Sequence, residues 1–264
     1  MLRSANVNLQ LDLRGRTNMV FSIAPAVGNN LAAENLEFLL DDEPQDFREI
    51  VDVHGTRLHT FVAGQGRMSV NYSFEVAGRA AGAIIDERDL ITYLRPSRYC
   101  QSDSLLPIAR AEFSGLSGWV LAQAVVDWVN ANLRYIPRSS LPTDGATRTI
   151  MSRAGVCRDF AHVTIALLRA MEIPARFVAV YAPGLSPMDF HAVVEAFVDG
   201  VWWVFDPTRL APRQTMVRIS TGRDAADTAW LTSSWTDLSF VSMKLDLTAD
   251  ELPFDDGYEH LQLG

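Results

Sequence analysis

The chemistry that this chain could perform begins with a cysteine at the start of an apolar helical stretch. The segment GVCRDFAHVTIALLRAMEIPAR contains Cys157, one of only two cysteines in 264 residues. Its apolar spacing predicts a helix from about Cys157 to Met171, before Ile173-Pro174. A thiol at a helix start lies beside unpaired backbone N–H groups and the positive end of the helix dipole. That position favours the thiolate and indicates a nucleophile, whereas the common alternative is a small buried cysteine.

A histidine and an aspartate later in the sequence, His191 and Asp206, could act together with this cysteine. Asp199-Gly200 is a strong two-residue hairpin signal between the strand-like segments VVEAFV and VWWVF. If Asp199 and Gly200 form the turn, Asp206 faces Val193 on the neighbouring strand. His191 and Asp206 are then diagonal neighbours on one face of the sheet. A slip of one residue would put them on opposite faces. The spacing therefore predicts a His–carboxylate pair. The alternatives are a core histidine and an aspartate that merely ends a strand.

Composition limits the kinds of function that are open to the chain. Apolar residues make up 48% and charged residues 21%, as in an ordinary globular protein with a sizeable core. The formal net charge of −9 and the lack of a Lys/Arg cluster argue against a nucleic-acid partner. No stretch has the length and apolarity of a membrane helix, and the first residues lack the apolar run of a signal peptide. We therefore expect a cytoplasmic protein with free thiols and no membrane partner.

The hydrophobic period changes along the chain and predicts two domains. The segments VNLQLDL and MSVNYSFEV alternate apolar and polar residues, so we expect an antiparallel, sandwich-like β-domain over residues 1–95. The Pro-containing segment that follows predicts a linker over residues 96–110. We place the catalytic core at residues 111–220 and interpret residues 221–264 as an irregular C-terminal extension that packs on it. The separate periodicity further predicts that the β-domain has its own core.

The helical spacing predicts two helices before the one that starts at Cys157. The first covers about residues 116–133, with Ser114 or Ser117 as its N-cap. The second is shorter, about Ala146 to Ala154, and Gly155 is a plausible residue to end it. Strands are expected after the cysteine helix.

Four sequence motifs, taken in order, resemble a known family of thiol enzymes. They are Gly-Val-Cys157-Arg-Asp-Phe-Ala, Leu-Arg-Ala-x-x-Ile-Pro-Ala-Arg-Phe, Phe-His191-Ala-x-x-Glu-Ala and Trp-x-x-Phe-Asp206-Pro-Thr. Over roughly residues 116–210 the chain is similar to the transglutaminase-like core of the papain-like thiol superfamily. It most resembles bacterial members described as candidate cysteine proteases, which carry an N-terminal β-domain. The resemblance implies an α+β fold, with an antiparallel β-domain followed by helices packed on an antiparallel sheet.

The resemblance also implies a role for each of three residues. Cys157 would be the nucleophile, His191 its general base and later acid, and Asp206 the group that orients the imidazole. Attack on a carboxamide or peptide carbonyl would form a thioester. Water would then hydrolyse this thioester, or an amine would attack it in transamidation. The backbone N–H of Cys157 is one candidate oxyanion donor. We expect hydrolysis rather than cross-linking, because no sequence feature indicates an amine site that excludes water.

Other residues are candidates for lining the cleft or supporting the triad. The oxyanion or cleft candidates are Trp119, Gln123, Tyr135, Trp202 and Trp203, and a core position is the stronger interpretation for Trp119. Asp159 and His162 lie on the cysteine helix behind the nucleophile. For Asp159 the first interpretation is a cap of its own helix, and for His162 a packed or hydrogen-bonded side chain. Cys100 has no partner motif.

Two other functions compete with that of a thiol enzyme. A non-catalytic binding or assembly module would keep the fold, but degenerate members usually lose a triad residue and this chain has all three. A metal site built from Cys157, His162 and His191 lacks clustered ligand spacing, so we expect no metal and no cofactor. The expected partner is a protein, peptide or small amide substrate. The sequence leaves its identity and the oligomeric state open.

Overall fold

Alternating apolar and polar side chains build the first part of the chain into strands. The computed structural model describes residues 1–264, and its first seven strands are β1 (Leu2–Leu13), β2 (Thr17–Phe21), β3 (Leu31–Leu40), β4 (Glu43–Pro44), β5 (Arg48–Val51), β6 (Arg57–Ala63) and β7 (Gly66–Ala77). On β1 the odd-numbered residues from Ala5 to Leu13 are buried, and on β7 the even-numbered ones from Met68 to Val76. These residues and side chains from β2 and β6 form one apolar core between two sheets. An antiparallel N-terminal β-structure was expected from this alternation.

Helices follow and lead to the segment of the predicted nucleophile. They are α1 (Glu87–Thr92), α2 (Ser102–Phe113), α3 (Gly118–Asn132), α4 (Ala146–Ser152) and α5 (Cys157–Ala170). Two short strands, β8 (Arg134–Tyr135) and β9 (Ala154–Gly155), pair in parallel just before α5. The three helices predicted in this region are present, and Ser117 directly precedes α3. None of the helices is long and apolar enough to cross a membrane.

A four-stranded antiparallel sheet supports the helices. Its strands are β10 (Ala175–Tyr181), β11 (His191–Val198), β12 (Val201–Phe205) and β13 (Val217–Gly222), in the order β12-β11-β10-β13, and a 3-10 turn, Arg213–Thr215, precedes β13. On β11 the side chains of Ala192, Val194, Ala196 and Val198 pack against the apolar residues of α5. The opposite face carries Val193, which is buried with Leu261 and Leu263 from the end of the chain. The predicted α+β fold is therefore confirmed.

The C-terminal residues do not form the irregular extension that the sequence predicts. Instead, β14 (Leu231–Ser234) pairs with β2, and β15 (Leu238–Ala249) pairs with β1 along nearly its whole length. Without these partners, β1 and β2 would be open sheet edges with unpaired N–H and C=O groups. Only the residues after β15 return to the core sheet, where the backbone N–H of Val204 donates to the carbonyl of Leu261.

The linker predicted at residues 96–110 is also wrong in its second half. Helix α2 begins at Ser102 and continues through Pro107 to Phe113. Its residues Leu105, Ala109 and Phe113 are four positions apart and are buried in the same apolar cluster as α5. Pro107 lacks one N–H group, but burial of this stripe outweighs the loss of a single hydrogen bond.

The N-terminal sheets share their apolar core with the core sheet. Tyr181, Val217 and Ile219 belong to the same buried cluster as the β1 side chains. The Tyr181 hydroxyl donates to the carbonyl of Ile23 at 2.6 Å. The two parts therefore pack as neighbours with a continuous apolar contact, and not as bodies joined only by a linker.

We therefore expect that a chain lacking residues 1–78 does not fold. Deletion of residues 1–78 removes the partner strand of β15 and exposes Tyr181 and its apolar neighbours to water. The truncated chain should therefore be aggregated or unfolded. Size-exclusion chromatography and circular dichroism of the truncated chain test this. A truncated chain that is a soluble monomer with cooperative thermal unfolding would contradict this expectation. It would show instead that the two parts have independent cores, as the sequence predicts.

Candidate active site

The predicted nucleophile is placed by the pairing of two short strands. Tyr135 on β8 is in register with Gly155 on β9, and α5 begins two residues later at Cys157. Cys157 is a free, half-buried thiol, and it packs against the edge of the apolar cluster around α5. A helix start here presents the backbone N–H groups of the first turn toward the space in front of the thiol.

The start of α5 is capped by the buried carboxylate of Asp159. Asp159 Oδ2 accepts a hydrogen bond from the backbone N–H of Val156 at 2.8 Å and one from the Ser140 hydroxyl at 2.5 Å. Asp159 Oδ1 lies 3.1 Å from the Arg158 guanidinium. Val156 has no polar side chain, so the carboxylate supplies the only side-chain cap of this helix start. Asp159 is thus arranged as a cap of its own helix.

Gly155 has a different role from the one that the sequence suggests. Helix α4 already ends at Ser152, and Arg153 adopts the left-handed conformation with φ of 52°. A Cβ atom at Gly155 would lie 2.6 Å from the Cβ of Asp159, closer than such atoms approach. The glycine therefore allows the chain to pass close to the capping carboxylate.

The hairpin register brings the predicted His–carboxylate pair together. Val198 is paired with Val201 and Val194 with Phe205, with Asp199 and Gly200 at positive φ in the turn. His191 Nε2 lies 2.9 Å from Asp206 Oδ2. The side chains are almost completely buried, with 0% of His191 and 2% of Asp206 exposed. The register has the geometry that the Asp-Gly turn predicts.

Thr208 holds the second oxygen of the Asp206 carboxylate. Asp206 Oδ1 accepts hydrogen bonds from the Thr208 N–H at 2.9 Å and from its hydroxyl at 2.7 Å. Burial raises the pKa of Asp206, but the charge of His191 and these hydrogen bonds outweigh burial and lower it. The sequence analysis missed Thr208, although an Asp followed two residues later by Thr is a common turn in which the Asp side chain caps the backbone.

The imidazole of His191 is stabilised in its charged form. Burial lowers its pKa, but the charge and hydrogen bond of Asp206, with a smaller contribution from Cys157, raise it to about 10. Its Nε2 faces Asp206, while Nδ1 has no hydrogen-bond partner within normal geometry. Because Cys157 acts on the imidazole and Nε2 is occupied, Nδ1 is the nitrogen available to the thiol.

Tyr135 is the cleft candidate that the structure places at the nucleophile. Burial raises the pKa of the Tyr135 phenol, the Cys157 thiol raises it further, and the Cys157 backbone amide opposes the change. Tyr135 is a neighbour of Cys157, since it is in register with Gly155, two residues before the cysteine. Asp189, which the sequence analysis missed, contributes to the same pKa. Loss of solvation also raises the pKa of Asp189, two residues before the catalytic candidate His191.

The four remaining cleft candidates make contacts elsewhere. Trp119 packs on His260, with ring centroids 3.5 Å apart, and on Trp203 at 5.9 Å. Gln123 donates a hydrogen bond to Asp127 at 2.9 Å. Trp202 is buried beneath the Arg176 guanidinium, 4.1 Å from its ring centre. None of these side-chain contacts includes Cys157, His191 or Asp206.

His162 is a packed residue inside the helical layer. It is fully buried between the rings of Tyr99 and Phe177, each with its centroid 5.3 Å away. Its Nε2 accepts a hydrogen bond from the Ala225 N–H at 3.1 Å. Burial, together with the positive charges of two arginines, lowers the pKa of His162 well below its ordinary value. His162 is therefore neutral at physiological pH.

Comparison with known proteins decides the family. The family model of the transglutaminase-like superfamily matches residues 119–207, the segment that carries Cys157, His191 and Asp206. A protein of Cytophaga hutchinsonii described as a candidate cysteine protease is 32% identical, and its crystal structure superposes with a TM-score of 0.88. The alignment covers 99% of this chain and 96% of that one. The chain belongs to the transglutaminase-like superfamily.

Two further comparisons match less of the chain or match it more weakly. An uncharacterized protein of Mycobacterium leprae is 32% identical over 119 residues, which are 40% of this chain and 41% of that protein. The match thus spans about two fifths of that relative. The periplasmic domain of TgpA from Pseudomonas aeruginosa is 21% identical, with a TM-score of 0.42 over 77% of this chain and 76% of its own.

The two cysteines should differ sharply in their reaction with iodoacetamide at neutral pH. Cys157 is half-buried at a helix start, whereas Cys100 is fully buried and burial raises its pKa to about 12. We expect a single carbamidomethyl group on Cys157, located by intact mass and peptide mapping. The variants Cys157→Ser and Cys100→Ser serve as a matched pair of controls. Labelling of Cys100 in the folded protein at the rate of Cys157 would contradict the expectation.

Proposed function

We propose that this protein is a thiol hydrolase that cleaves an amide or peptide bond with Cys157, His191 and Asp206. The hydrogen bond of 2.9 Å between His191 and Asp206, buried beside the half-buried thiol, carries this proposal. Three separated segments of the chain converge there, which a purely structural role would not require. The similarity to the Cytophaga hutchinsonii protein described as a candidate cysteine protease supports the same activity.

Acylation begins with the thiolate of Cys157 and the imidazolium of His191. The sulfur attacks the carbonyl carbon, a C–S bond forms, and the carbonyl electrons move to the oxygen. His191 then gives the proton on Nδ1 to the departing amine as the C–N bond breaks. Asp206 keeps Nε2–H hydrogen-bonded throughout, so the ring presents Nδ1 to the sulfur and its positive charge is stabilised.

Deacylation uses the same residues in the opposite direction. Neutral His191 takes a proton from water, and the resulting hydroxide attacks the thioester and releases the carboxylic acid. His191 then carries the proton and Cys157 leaves as thiolate, which restores the starting ion pair. We propose water rather than an amine as the second substrate, because nothing in the sequence indicates an amine site that excludes water.

The oxyanion is held at the start of α5. The backbone N–H of Cys157 is in the first turn of α5, at the positive end of the helix dipole, and is the first donor that we assign. We assign the second donor to the Tyr135 hydroxyl, because Tyr135 is in register with Gly155, two residues before Cys157, and the Cys157 thiol affects the pKa of its phenol. A bound carbonyl oxygen would accept hydrogen bonds from the Cys157 N–H and the Tyr135 hydroxyl.

The substrate belongs to the class of proteins, peptides or small amides. The site requires only an accessible carbonyl next to a leaving amine, and the formal net charge of −9 does not favour a nucleic acid. We also propose that the protein works in a reducing compartment such as the cytoplasm, because its two cysteines are free.

Acylation by p-nitrophenyl acetate tests the proposed function without knowledge of the substrate. Wild-type protein should release nitrophenol in a burst, carry one acetyl group on Cys157 by intact mass, and then lose it to water. Cys100→Ser should behave as wild type, whereas Cys157→Ala should show neither burst nor adduct. A folded wild-type protein without the Cys157 adduct would favour the non-catalytic module. Transfer of the acetyl group to added cadaverine faster than to water would overturn hydrolysis.

The pH profile of amide turnover, measured with an acyl p-nitroanilide whose leaving amine must take the proton from His191, should report on the His191–Asp206 pair. Because Asp206 raises the pKa of His191 to about 10, the imidazolium and the activity should persist at neutral pH and disappear as pH rises through about 10. Asp206→Asn keeps the shape but removes the charge, so the alkaline limb of kcat/KM should move toward about 6.5, the ordinary value for histidine. An alkaline limb that does not move, or that moves upward, would contradict the role of Asp206.

Tyr135→Phe should separate oxyanion binding from thiol activation. Removing one oxyanion donor costs about a hundredfold or more in kcat. Alkylation of Cys157 by iodoacetamide forms no oxyanion, so its rate should change little in the same variant. Steady-state turnover and alkylation rates, measured side by side, test the assignment. Equal slowing of both reactions would show that Tyr135 only supports the packing around Cys157.

A further inference from the structure

The turn that follows Asp206 is held from one side by helix α3. Near the end of this helix, the side-chain amide of Asn130 donates a hydrogen bond to the backbone carbonyl of Pro207 at 2.8 Å. This is the only hydrogen bond of the Asn130 side chain. Val129, on the apolar side of α3, is buried in the same cluster as Phe205. Packing in that cluster therefore sets the distance between the helix and the turn.

The carbonyl that Asn130 binds and the N–H of Thr208 belong to one peptide group. That N–H donates to Asp206 Oδ1 at 2.9 Å, and Asp206 Oδ2 lies 2.9 Å from His191 Nε2. Because a peptide group is planar and its two ends turn together, a fixed carbonyl also fixes the direction of the N–H. Hydrogen bonds in such a chain also polarise one another. Three successive hydrogen bonds thus link Asn130 to the imidazole.

A second contact between α3 and the turn is weaker. The Arg209 guanidinium pairs with the carboxylate of Asp127, about one helical turn before Asn130. The two side chains are 29% and 39% exposed, and ion pairs at such exposure contribute little because water screens them. Arg209 also lies beyond the peptide group that binds the Asp206 carboxylate. Asn130 is therefore the contact through which α3 acts on that carboxylate.

We propose that Asn130 is a positioning residue for the His191–Asp206 pair and acts through the peptide group between Pro207 and Thr208. It holds the Thr208 N–H in line with Asp206 Oδ1, and the carboxylate thereby keeps its other oxygen on the imidazole. The effect on the thiol of the nucleophile passes through this pair. As a role in catalysis it rests on the function proposed at the triad, but its effect on the imidazole can be measured without turnover.

The pKa of the His191 imidazole, followed by nitrogen NMR in Asn130→Ala, tests this role. The chain has five histidines, and the spectrum of His191→Gln assigns the signal. Wild-type protein should titrate at about 10. Thr208 keeps both of its donors in the variant, so the basicity of the Asp206 carboxylate changes little and the loss is one of alignment. The pKa should therefore fall by about half a unit to one unit, as expected for one neutral hydrogen bond.

Asn132→Ala is the matched control on the same helix. Asn132 donates to the Trp128 carbonyl at 2.9 Å and accepts from the Arg153 guanidinium at 2.7 Å, and neither contact reaches the turn after Asp206. The control should keep the wild-type pKa of His191. With an acyl p-nitroanilide as substrate, Asn130→Ala should lower kcat about threefold to tenfold and leave KM within about twofold, because the amide acts on the reacting geometry and not on substrate binding.

Alanine favours a helix at least as well as asparagine does, so Asn130→Ala should fold. Asn130→Leu also lacks the amide but fills the space, and it should show the same fall in the His191 pKa. An unchanged pKa in the folded variants, or an equal fall in Asn132→Ala, would overturn the role of Asn130. Failure of both Asn130 variants to fold would do so too, because the amide would then serve the fold.

The outcome for Asn130 can be told apart from that for the proposed function. If wild-type protein neither cleaves the nitroanilide nor becomes acylated on Cys157, the function proposed there fails. The titration of His191 in the Asn130 variants still decides whether this amide positions the pair.

Discussion

The buried hydrogen bond between His191 and Asp206 is the constraint on which the candidate active site depends. Two ionisable groups with 0% and 2% of their side chains exposed are stable only as a hydrogen-bonded pair. The pair exists because one two-residue turn sets the register of two strands, and because Thr208 binds the other carboxylate oxygen. Removing either partner would leave an uncompensated polar group in the interior. The same pairing leaves Nδ1 free for the thiol.

A second carboxylate performs the equivalent task for the nucleophile. Asp159 is fully buried, accepts the Val156 N–H and thereby positions the first turn of α5, where Cys157 lies. Gly155 permits this approach because it has no Cβ. Tyr135 follows α3 in the chain, and the parallel pairing of β8 with β9 brings it next to the start of α5. Two buried carboxylates, one on each side of the cleft, therefore define the relative positions of thiol and imidazole.

The rest of the molecule is tied to this core through shared strands and apolar contacts. The end of the chain supplies β14 and β15 to the N-terminal sheets, and Tyr181 reaches from the core sheet into the same apolar cluster. A cavity of about 720 Å³ opens at this junction. None of Cys157, His191 and Asp206 lines this cavity, although the same core sheet supports both the cavity and the candidate active site.

The sequence by itself determined the features whose physical cause is local. Asp199-Gly200 adopts positive φ readily and so set the strand register, which placed His191 beside Asp206. Helical spacing and the residues before Pro174 were enough to locate α5 and put Cys157 at its start. Only the tertiary structure decided which residues far apart in sequence meet. Tyr135 could be distinguished from Trp119 and Gln123 only after β8 paired with β9, and β15 found its partner more than two hundred residues away. Such pairings depend on which edges and apolar faces remain uncovered once the chain has folded, and no local pattern contains that information.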